Sequence, residues 1–248
     1  MNYEEILDAL ETGSMRAASP SKDGWVVNIE VKQAILQSFK EGVNTSYEGI
    51  YEGFVDKHNL PPRYFSPEDQ VRLVPGGSSV RRGAYVAPSV IIMPPAYINV
   101  GAYVGEGSMV DSHALVGSCA QVGKGVHLSA AVQLGGVLEP IGMKPVIIED
   151  DCFIGAGVSI VEGIMVQKRA IIAPGVILSK SIPVYDAVKE EIRPRGAAIP
   201  EGAVVIPGSR SMKGDWASSQ GLSMQCPIIV KYRDQSTDAS TELEQALR

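Results

Sequence analysis

The stretch YINVGAYVGEGSMVDSHALVGSCAQVGKGVHLSAAVQLGGVLEP, residues 97–140, carries an aliphatic residue at every sixth position. The same step continues outward on both sides and is interrupted once, between Leu134 and Ile148. A period of six matches neither a helix nor simple strand alternation, so it predicts a repeat architecture. The aliphatic positions are Val74, Val80, Val86, Ile92, Ile98, Val104, Val110, Val116, Val122, Leu128, Leu134, Ile148, Ile154, Ile160, Val166, Ile172 and Leu178.

Each hexad is predicted to form one short strand and one corner. Four residues after most aliphatics stands a small residue, and glycine often precedes it, where a tight turn needs positive φ. Three hexads would close one triangular coil, so the fold is predicted to be mainly β, a parallel β-helix of about six coils. The small positions are Ala84, Ala96, Ala102, Ser108, Ala114, Ala120, Cys152 and Ala170.

The repeat divides the chain into three predicted parts. Residues 1–70 lack it and form a helical N-terminal cap. Residues 71–206 form the β-helix, with loops at 139–147 and 183–198, where prolines, glycines or charged residues break the step. Residues 207–248 form a C-terminal extension of strand and helix.

Periodicity within the flanks predicts individual elements. Helical spacing marks Tyr3–Glu11 and Val31–Lys40 in the cap. Ala203–Ile206 and Pro227–Tyr232 are predicted strands, and Thr241–Leu247 is a predicted short helix.

Composition excludes several classes of function. Among 248 residues, Lys and Arg total 22 against 28 Asp and Glu, a net charge of −6, which argues against a nucleic-acid partner. No apolar run approaches the ~20 residues of a membrane span, and the N-terminus lacks the order of a signal peptide. We therefore expect a cytoplasmic protein without a membrane partner. Cys119, Cys152 and Cys226 are too few for a disulfide framework, and the first two are predicted to pack at corners.

The stretch 97–140 resembles the central signature of the tetrahydrodipicolinate N-succinyltransferase family, and MVDSHALVGSCAQ with GGVLEP is its specific part. VIIEDDCFIGAGVSIVEG at 146–163, Val184–Asp186 and CPIIVKYRD at 226–234 continue the likeness. The resemblance implies a left-handed β-helix acyltransferase and a homotrimer with active sites between subunits. It also implies transfer of a succinyl group from succinyl-coenzyme A to opened tetrahydrodipicolinate in lysine and diaminopimelate biosynthesis, with no tightly bound cofactor and no metal.

Three residues match family positions that bind the amino-dicarboxylate acceptor. Arg72 matches an arginine that binds a substrate carboxylate, a task suited to a bidentate guanidinium. Asp111 matches the acid that orients the amine or accepts its proton, and is the predicted catalytic residue. Gly136 matches a glycine whose carbonyl faces that amine. Without the resemblance, Asp111 is typical of a residue that serves only the coil turn, and the stem of Arg72 could cap the first coil.

Other matching positions imply the coenzyme A site. Ala156, Gly157, Ala173 and Pro174 match small residues along the pantetheine arm, where backbone approaches the ligand closely. Lys213 matches a C-terminal lysine that would meet a coenzyme phosphate.

The site also departs from the family pattern. Ser159 replaces a glutamate, Gly157 replaces an arginine, and His113 replaces a tryptophan near Asp111. His113 and Ser159 are kept as candidate substrate-binding residues, and His113 also as an alternative general base. His127 is interpreted as structural, and Asp150-Asp151 as a coil corner with metal binding left open.

The departures leave two other functions open. One is a paralogous acetyltransferase acting on a similar acceptor in a specialised, tabtoxin-like pathway. The other is a non-catalytic β-helix scaffold. A metal enzyme resembling β-helix carbonic anhydrases needs a histidine triad at the coil edges, whereas one of the three histidines, His58, lies outside the coils.

Overall fold

The computed structural model describes residues 1–22 and 24–234. Its N-terminal part carries, in order, α1 (Tyr3–Glu11), β1 (Ala18–Ser21), β2 (Gly24–Val27), α2 (Ile29–Glu41), β3 (Asn44–Ser46) and β4 (Val55–Lys57), with 3-10 turns at Gly49–Tyr51 and Pro67–Asp69. The two helices confirm the spacing-based predictions. The antiparallel hairpins β1–β2 and β3–β4 were not predicted. The predicted helix Thr241–Leu247 lies outside the described residues.

The repeat region folds into two-residue strands that pair in parallel with the strand one coil later. Register partners are 18 residues apart, as in Val104 with Val122 and Val110 with Leu128, which confirms three hexads per coil. The strands are β5 (Arg72–Leu73), β6 (Ser79–Val80), β7 (Tyr85–Val86), β8 (Ile91–Ile92), β9 (Tyr97–Ile98), β10 (Tyr103–Val104), β11 (Met109–Val110), β12 (Leu115–Val116), β13 (Gln121–Val122), β14 (His127–Leu128), β15 (Gln133–Leu134), β16 (Ile147–Ile148), β17 (Phe153–Ile154), β18 (Ser159–Ile160), β19 (Met165–Val166), β20 (Ile171–Ile172) and β21 (Ile177–Leu178).

These strands build three sheets around one core. Sheet I runs β5-β8-β11-β14-β17-β20, sheet II β6-β9-β12-β15-β18-β21, and sheet III β7-β10-β13-β16-β19. We call the corners between them the I–II, II–III and III–I edges. The second residue of each coil strand from β6 onward is buried, and each such aliphatic contributes about 1.5–3 kcal/mol. The small residues predicted at the corners, Cys152 among them, are buried as well.

Two details of the predicted repeat are wrong. The first inward position is Leu73, because Leu73 rather than Val74 pairs with Ile92, so the first coil holds one extra residue. The predicted loop 139–147 ends one residue earlier, because Ile147 belongs to β16. Val122 pairs with Ile148, 26 rather than 18 residues on, so the loop is an insertion that leaves the register intact.

The N-terminal helices pack on the II–III edge. An ideal Cβ on Gly83 would lie 2.8 Å from a Leu7 methyl, and one on Gly101 would lie 2.7 Å from Ile35, so glycine lets the helices approach the coil. The Arg82 guanidinium adds an ion pair to Asp8 of α1 at 2.8 Å.

The C-terminal part extends sheet I. It consists of β22 (Tyr185–Asp186), β23 (Glu191–Ile192), β24 (Ala203–Ser211), α3 (Asp215–Ser219) and β25 (Ser223–Tyr232). The predicted loop 183–198 contains the antiparallel hairpin β22–β23, and both predicted strands are present but longer. The buried Asp186 carboxylate joins the parts by accepting a 2.6 Å hydrogen bond from the Tyr232 hydroxyl. In the described residues, no helix has the length and apolarity needed to cross a membrane.

Candidate active site

Asp111 and His113 share one corner of the I–II edge, directly after β11. The half-buried Asp111 donates its backbone N–H to the Leu128 carbonyl at 2.9 Å, and its Oδ1 accepts the Ser112 N–H at 2.7 Å. Within residues 1–22 and 24–234, Asp111 forms no salt bridge. One carboxylate oxygen is therefore held by the turn, and the other remains available to a ligand.

His113 occupies the left-handed position of that corner. Its φ is 63°, its N–H donates to the Pro95 carbonyl at 2.5 Å, and its side chain is exposed. Gln133, which the sequence analysis did not single out, supports the corner from the next coil. Its side-chain amide donates to the carbonyls of His113 at 3.1 Å and Ala131 at 3.3 Å. The feature of the sequence that could have indicated Gln133 is its long polar side chain at the outward-facing position of a strand.

The four small residues proposed along the pantetheine arm lie together. Ala156 and Gly157 form one corner of the I–II edge, and Ala173 and Pro174 begin the corner of the next coil. The Gly175 N–H joins the two corners by donating to the Ala156 carbonyl at 3.0 Å. Ala156, Gly157 and Pro174 are exposed, and Ala173 is partly buried, so backbone is accessible to a ligand along this edge.

Ser159, predicted to replace a family glutamate, follows the Gly157 corner into sheet II. It is partly buried between Gln133 and Ile177, its register neighbours on adjacent coils. A serine side chain is shorter than that of glutamate and uncharged, so this face presents no carboxylate at position 159.

Arg72 and Lys213 lie farther from this corner. Arg72 is exposed on β5, two strands before Met109 in sheet I, a separation of about 10 Å at the usual strand spacing. Lys213 is exposed at the tip of the β24–β25 hairpin, beyond the last pair Ser211–Ser223. No described contact brings Lys213 to the pantetheine corners.

Gly136 is on a different edge from Asp111. It follows β15 at the II–III edge, where an ideal Cβ would lie 2.8 Å from the Ser118 backbone nitrogen. The next residue, Val137, donates its N–H to the Ser118 carbonyl at 3.1 Å. Sheet II separates this position from Asp111, so a single chain does not bring the two together.

A buried lysine beside Gly136 was also missed. Lys32 of α2 is fully buried, and its Nζ donates to the Met143 carbonyl in the inserted loop at 2.5 Å. Its position three residues before the buried Ile35, on the inner face of α2, was the signal in the sequence.

The remaining candidates take structural positions. Cys119 and Cys152 are 0% and 1% exposed, which confirms their packing roles, and burial raises the pKa of each thiol to about 12. His127 is 8% exposed, with its ring 4.9 Å from that of Phe153. Asp150 accepts the Lys124 N–H at 2.9 Å at the III–I edge, as a corner residue does. Across the described ranges, no three His, Cys, Asp or Glu side chains form a group suited to a metal ion.

The six-residue repeat, with three hexads per coil, defines a hexapeptide-repeat β-helix protein, and the family models specify a transferase of that class. The family model described as hexapeptide repeat of succinyl-transferase matches residues 145–180, and the model for the tetrahydrodipicolinate N-succinyltransferase N-terminal region matches residues 3–40.

Relatives specify the particular family. The chain is 45% identical to a 2,3,4,5-tetrahydropyridine-2,6-dicarboxylate N-succinyltransferase of Nitrosococcus oceani, over 99% of this chain and 88% of the relative. It is 44% identical to the Coxiella burnetii protein of that name, over 98% and 88%. The chain therefore belongs to the tetrahydrodipicolinate N-succinyltransferase family. A Campylobacter jejuni structure assigned as a 2,3,4,5-tetrahydropyridine-2-carboxylate N-succinyltransferase shares the fold, with a TM-score of 0.50 and 18% identity over 97% of this chain and 64% of that one.

Proposed function

We propose that this protein transfers the succinyl group of succinyl-coenzyme A to the amino group of opened, hydrated tetrahydrodipicolinate. The observation that carries the proposal is the full-length similarity to relatives named for this reaction, together with an available Asp111 carboxylate at a corner of the coil. The architecture we propose is a left-handed β-helix that assembles as a homotrimer. Supporting the assembly, Asp111 and Gly136 lie on opposite edges of sheet II, so a site that uses both needs two chains.

In the proposed reaction, the acceptor amine attacks the thioester carbonyl. A carbon–nitrogen bond forms, the carbonyl oxygen gains charge, and the carbon–sulfur bond then breaks to release coenzyme A. Asp111 Oδ2 accepts the proton that the amine loses, and that proton finally leaves with the thiol. The Gly136 carbonyl orients the amine, and Arg72 pairs with a carboxylate of the acceptor.

The I–II edge supports binding of the acyl-coenzyme A donor. We place the pantetheine arm along Ala156, Gly157, Ala173 and Pro174, where small side chains leave backbone groups within reach of a ligand. Lys213, exposed at the hairpin tip, is placed to meet a coenzyme phosphate, and the same hairpin reaches that edge where the Gln225 side-chain amide donates to the Gly175 carbonyl at 3.4 Å.

A second candidate function changes the donor. Ser159 and Gly157 stand where the family has glutamate and arginine, so the site has lost one carboxylate and one guanidinium. That difference favours a specialised acetyltransferase on a tetrahydrodipicolinate-like acceptor as the alternative. His113, at the Asp111 corner, is then the alternative base.

Release of free coenzyme A thiol tests both functions. The protein is mixed with L-2-aminopimelate, a stable acyclic acceptor, and with either succinyl- or acetyl-coenzyme A. Faster release from succinyl-coenzyme A supports the proposed function, and faster release from acetyl-coenzyme A supports the alternative. No release from either donor, with no affinity for coenzyme A, would favour a non-catalytic scaffold.

A further inference from the structure

The loop inserted after β15 leaves the coil at Gly136 and returns at β16. Its first part begins with Val137, which is 4% exposed and donates its N–H to the Ser118 carbonyl. Its second part crosses the coil at Gly163, whose ideal Cβ would overlap the Lys144 carbonyl. Between these points, residues 138–145 receive a single hydrogen bond from outside the loop in the described structure, and Lys32 donates it.

Burial makes this lysine unusual. Its side chain has no exposed surface, and its hydrogen-bond acceptor is a neutral carbonyl rather than a carboxylate. Burial lowers the pKa of the ammonium, against a smaller opposing effect of the nearby Cys119. A helix that needed only packing here would gain more from an apolar residue, because an ammonium loses its hydration. The amine at this position is therefore better explained by the hydrogen bond that it donates to the Met143 carbonyl.

We propose that Lys32 is a positioning residue for acyl transfer, holding the 138–145 loop on α2 so that the Gly136 carbonyl stays oriented toward the acceptor amine. The inference rests on the proposed function of Gly136. Leu138 packs against the same helical cluster as α2, so the loop has one polar and one apolar attachment to the N-terminal helices. When the polar attachment is lost, the loop can move without the coil unfolding, because the coil's own hydrogen bonds do not involve Lys32.

The test compares Lys32→Met with Lys32→Arg and with the control Lys40→Met, a lysine exposed on the same helix. We expect Lys32→Met to lower kcat for L-2-aminopimelate at least about tenfold while the KM for succinyl-coenzyme A changes less than twofold. We expect Lys32→Arg to recover part of kcat and Lys40→Met to match wild type. Exchange of the Met143 amide, which donates to the Pro140 carbonyl within the loop, should rise in Lys32→Met, whereas exchange in the coil should not. A folded Lys32→Met protein with wild-type kcat would overturn the proposal.

If Lys32→Met does not fold, Leu138→Ala releases the same loop without touching the buried charge. Lowered kcat with faster loop exchange is then expected, and faster exchange at unchanged kcat would refute the role. Failure of the proposed function is separate, because it appears as absence of turnover in wild type. Hydrogen exchange of the Met143 amide still tests the loop contact in that case, because unchanged protection in Lys32→Met would show that the lysine does not hold the loop.

Discussion

One carboxylate oxygen of Asp111 accepts a hydrogen bond within its own turn, and the other is available to a ligand. A substitution can therefore keep the structural hydrogen bond and remove the proposed chemical role. Asp111→Asn keeps an oxygen for the Ser112 N–H but removes the ability to accept a proton. We therefore expect thiol release to fall about 10²–10⁴-fold, the usual contribution of a general base, with the fold and assembly unchanged. Steady-state rates and the sedimentation profile check this expectation.

The matched control for that variant is Asp150→Asn, which also removes a carboxylate bonded to a backbone N–H, but at the III–I edge. It should leave turnover within about threefold. His113→Asn, at a left-handed corner that asparagine tolerates, separates the two candidate bases. Loss of turnover in His113→Asn with retention in Asp111→Asn would assign the base to His113.

The buried thiols give a prediction about reactivity. Burial raises the pKa of Cys119 and Cys152 to about 12 and also raises that of Cys226, so the reactive thiolate is nearly absent near pH 8. An aromatic disulfide reagent should label less than one thiol per native chain in minutes, and all three after unfolding. Since the neutral thiol is favoured only in the folded state, stability should fall as pH rises from about 9 toward 12. Rapid labelling of native protein would contradict the buried placement.

At the scale of elements, the corners explain how helices and coil fit together. Gly101 and Gly107 both adopt positive φ, 74° and 69°, but only Gly101 lies under a helix, with Ile35 2.7 Å from an ideal Cβ. Gly107→Ala should cost about 1 kcal/mol from backbone strain alone. Gly101→Ala should cost about 2–4 kcal/mol, because overpacking against α2 is added. Urea unfolding measures both, and equal costs would show that the helix yields to the new methyl group.

Much of the coil could be predicted because each hexad shows the same local pattern: one aliphatic residue to bury, one small residue at the corner and one turn residue. The inward position of Leu73 was not predicted because a single extra residue in the first coil shifts the six-residue step. The pairing of Leu73 with Ile92 reveals that shift. Hairpins β1–β2 and β3–β4 were not predicted for another reason. Their short strands are largely exposed and have little apolar alternation to detect.

The candidate site was less predictable than the coil. Asp111 and His113 are neighbours in sequence, so their common corner follows from the repeat. Gly136 lies across sheet II, and its distance from Asp111 depends on which corner each hexad occupies. The Lys32 contact with Met143 spans 111 residues of sequence and depends on how α2 docks, which no local pattern encodes.

For the whole molecule, the separation of Asp111 and Gly136 predicts complementation between inactive chains. Asp111→Asn retains the Gly136 edge, whereas Gly136→Val retains Asp111 but places a side chain against the Ser118 backbone. Each homotrimer should be inactive. On the proposed trimeric assembly, refolding an equal mixture should form mixed trimers in which a site pairs an intact Asp111 from one chain with an intact Gly136 from its neighbour.

Random mixing puts three quarters of the trimers in the mixed class, and each mixed ring contains one intact site of three. Activity should therefore return to about a quarter of the wild-type value, because a closed ring of head-to-tail contacts pairs every chain with one neighbour. Mixing two preparations of the same variant is the control and should recover nothing. If the mixture also stays inactive although mixed trimers are detected by mass, Asp111 of one chain and Gly136 of its neighbour do not act together in one site.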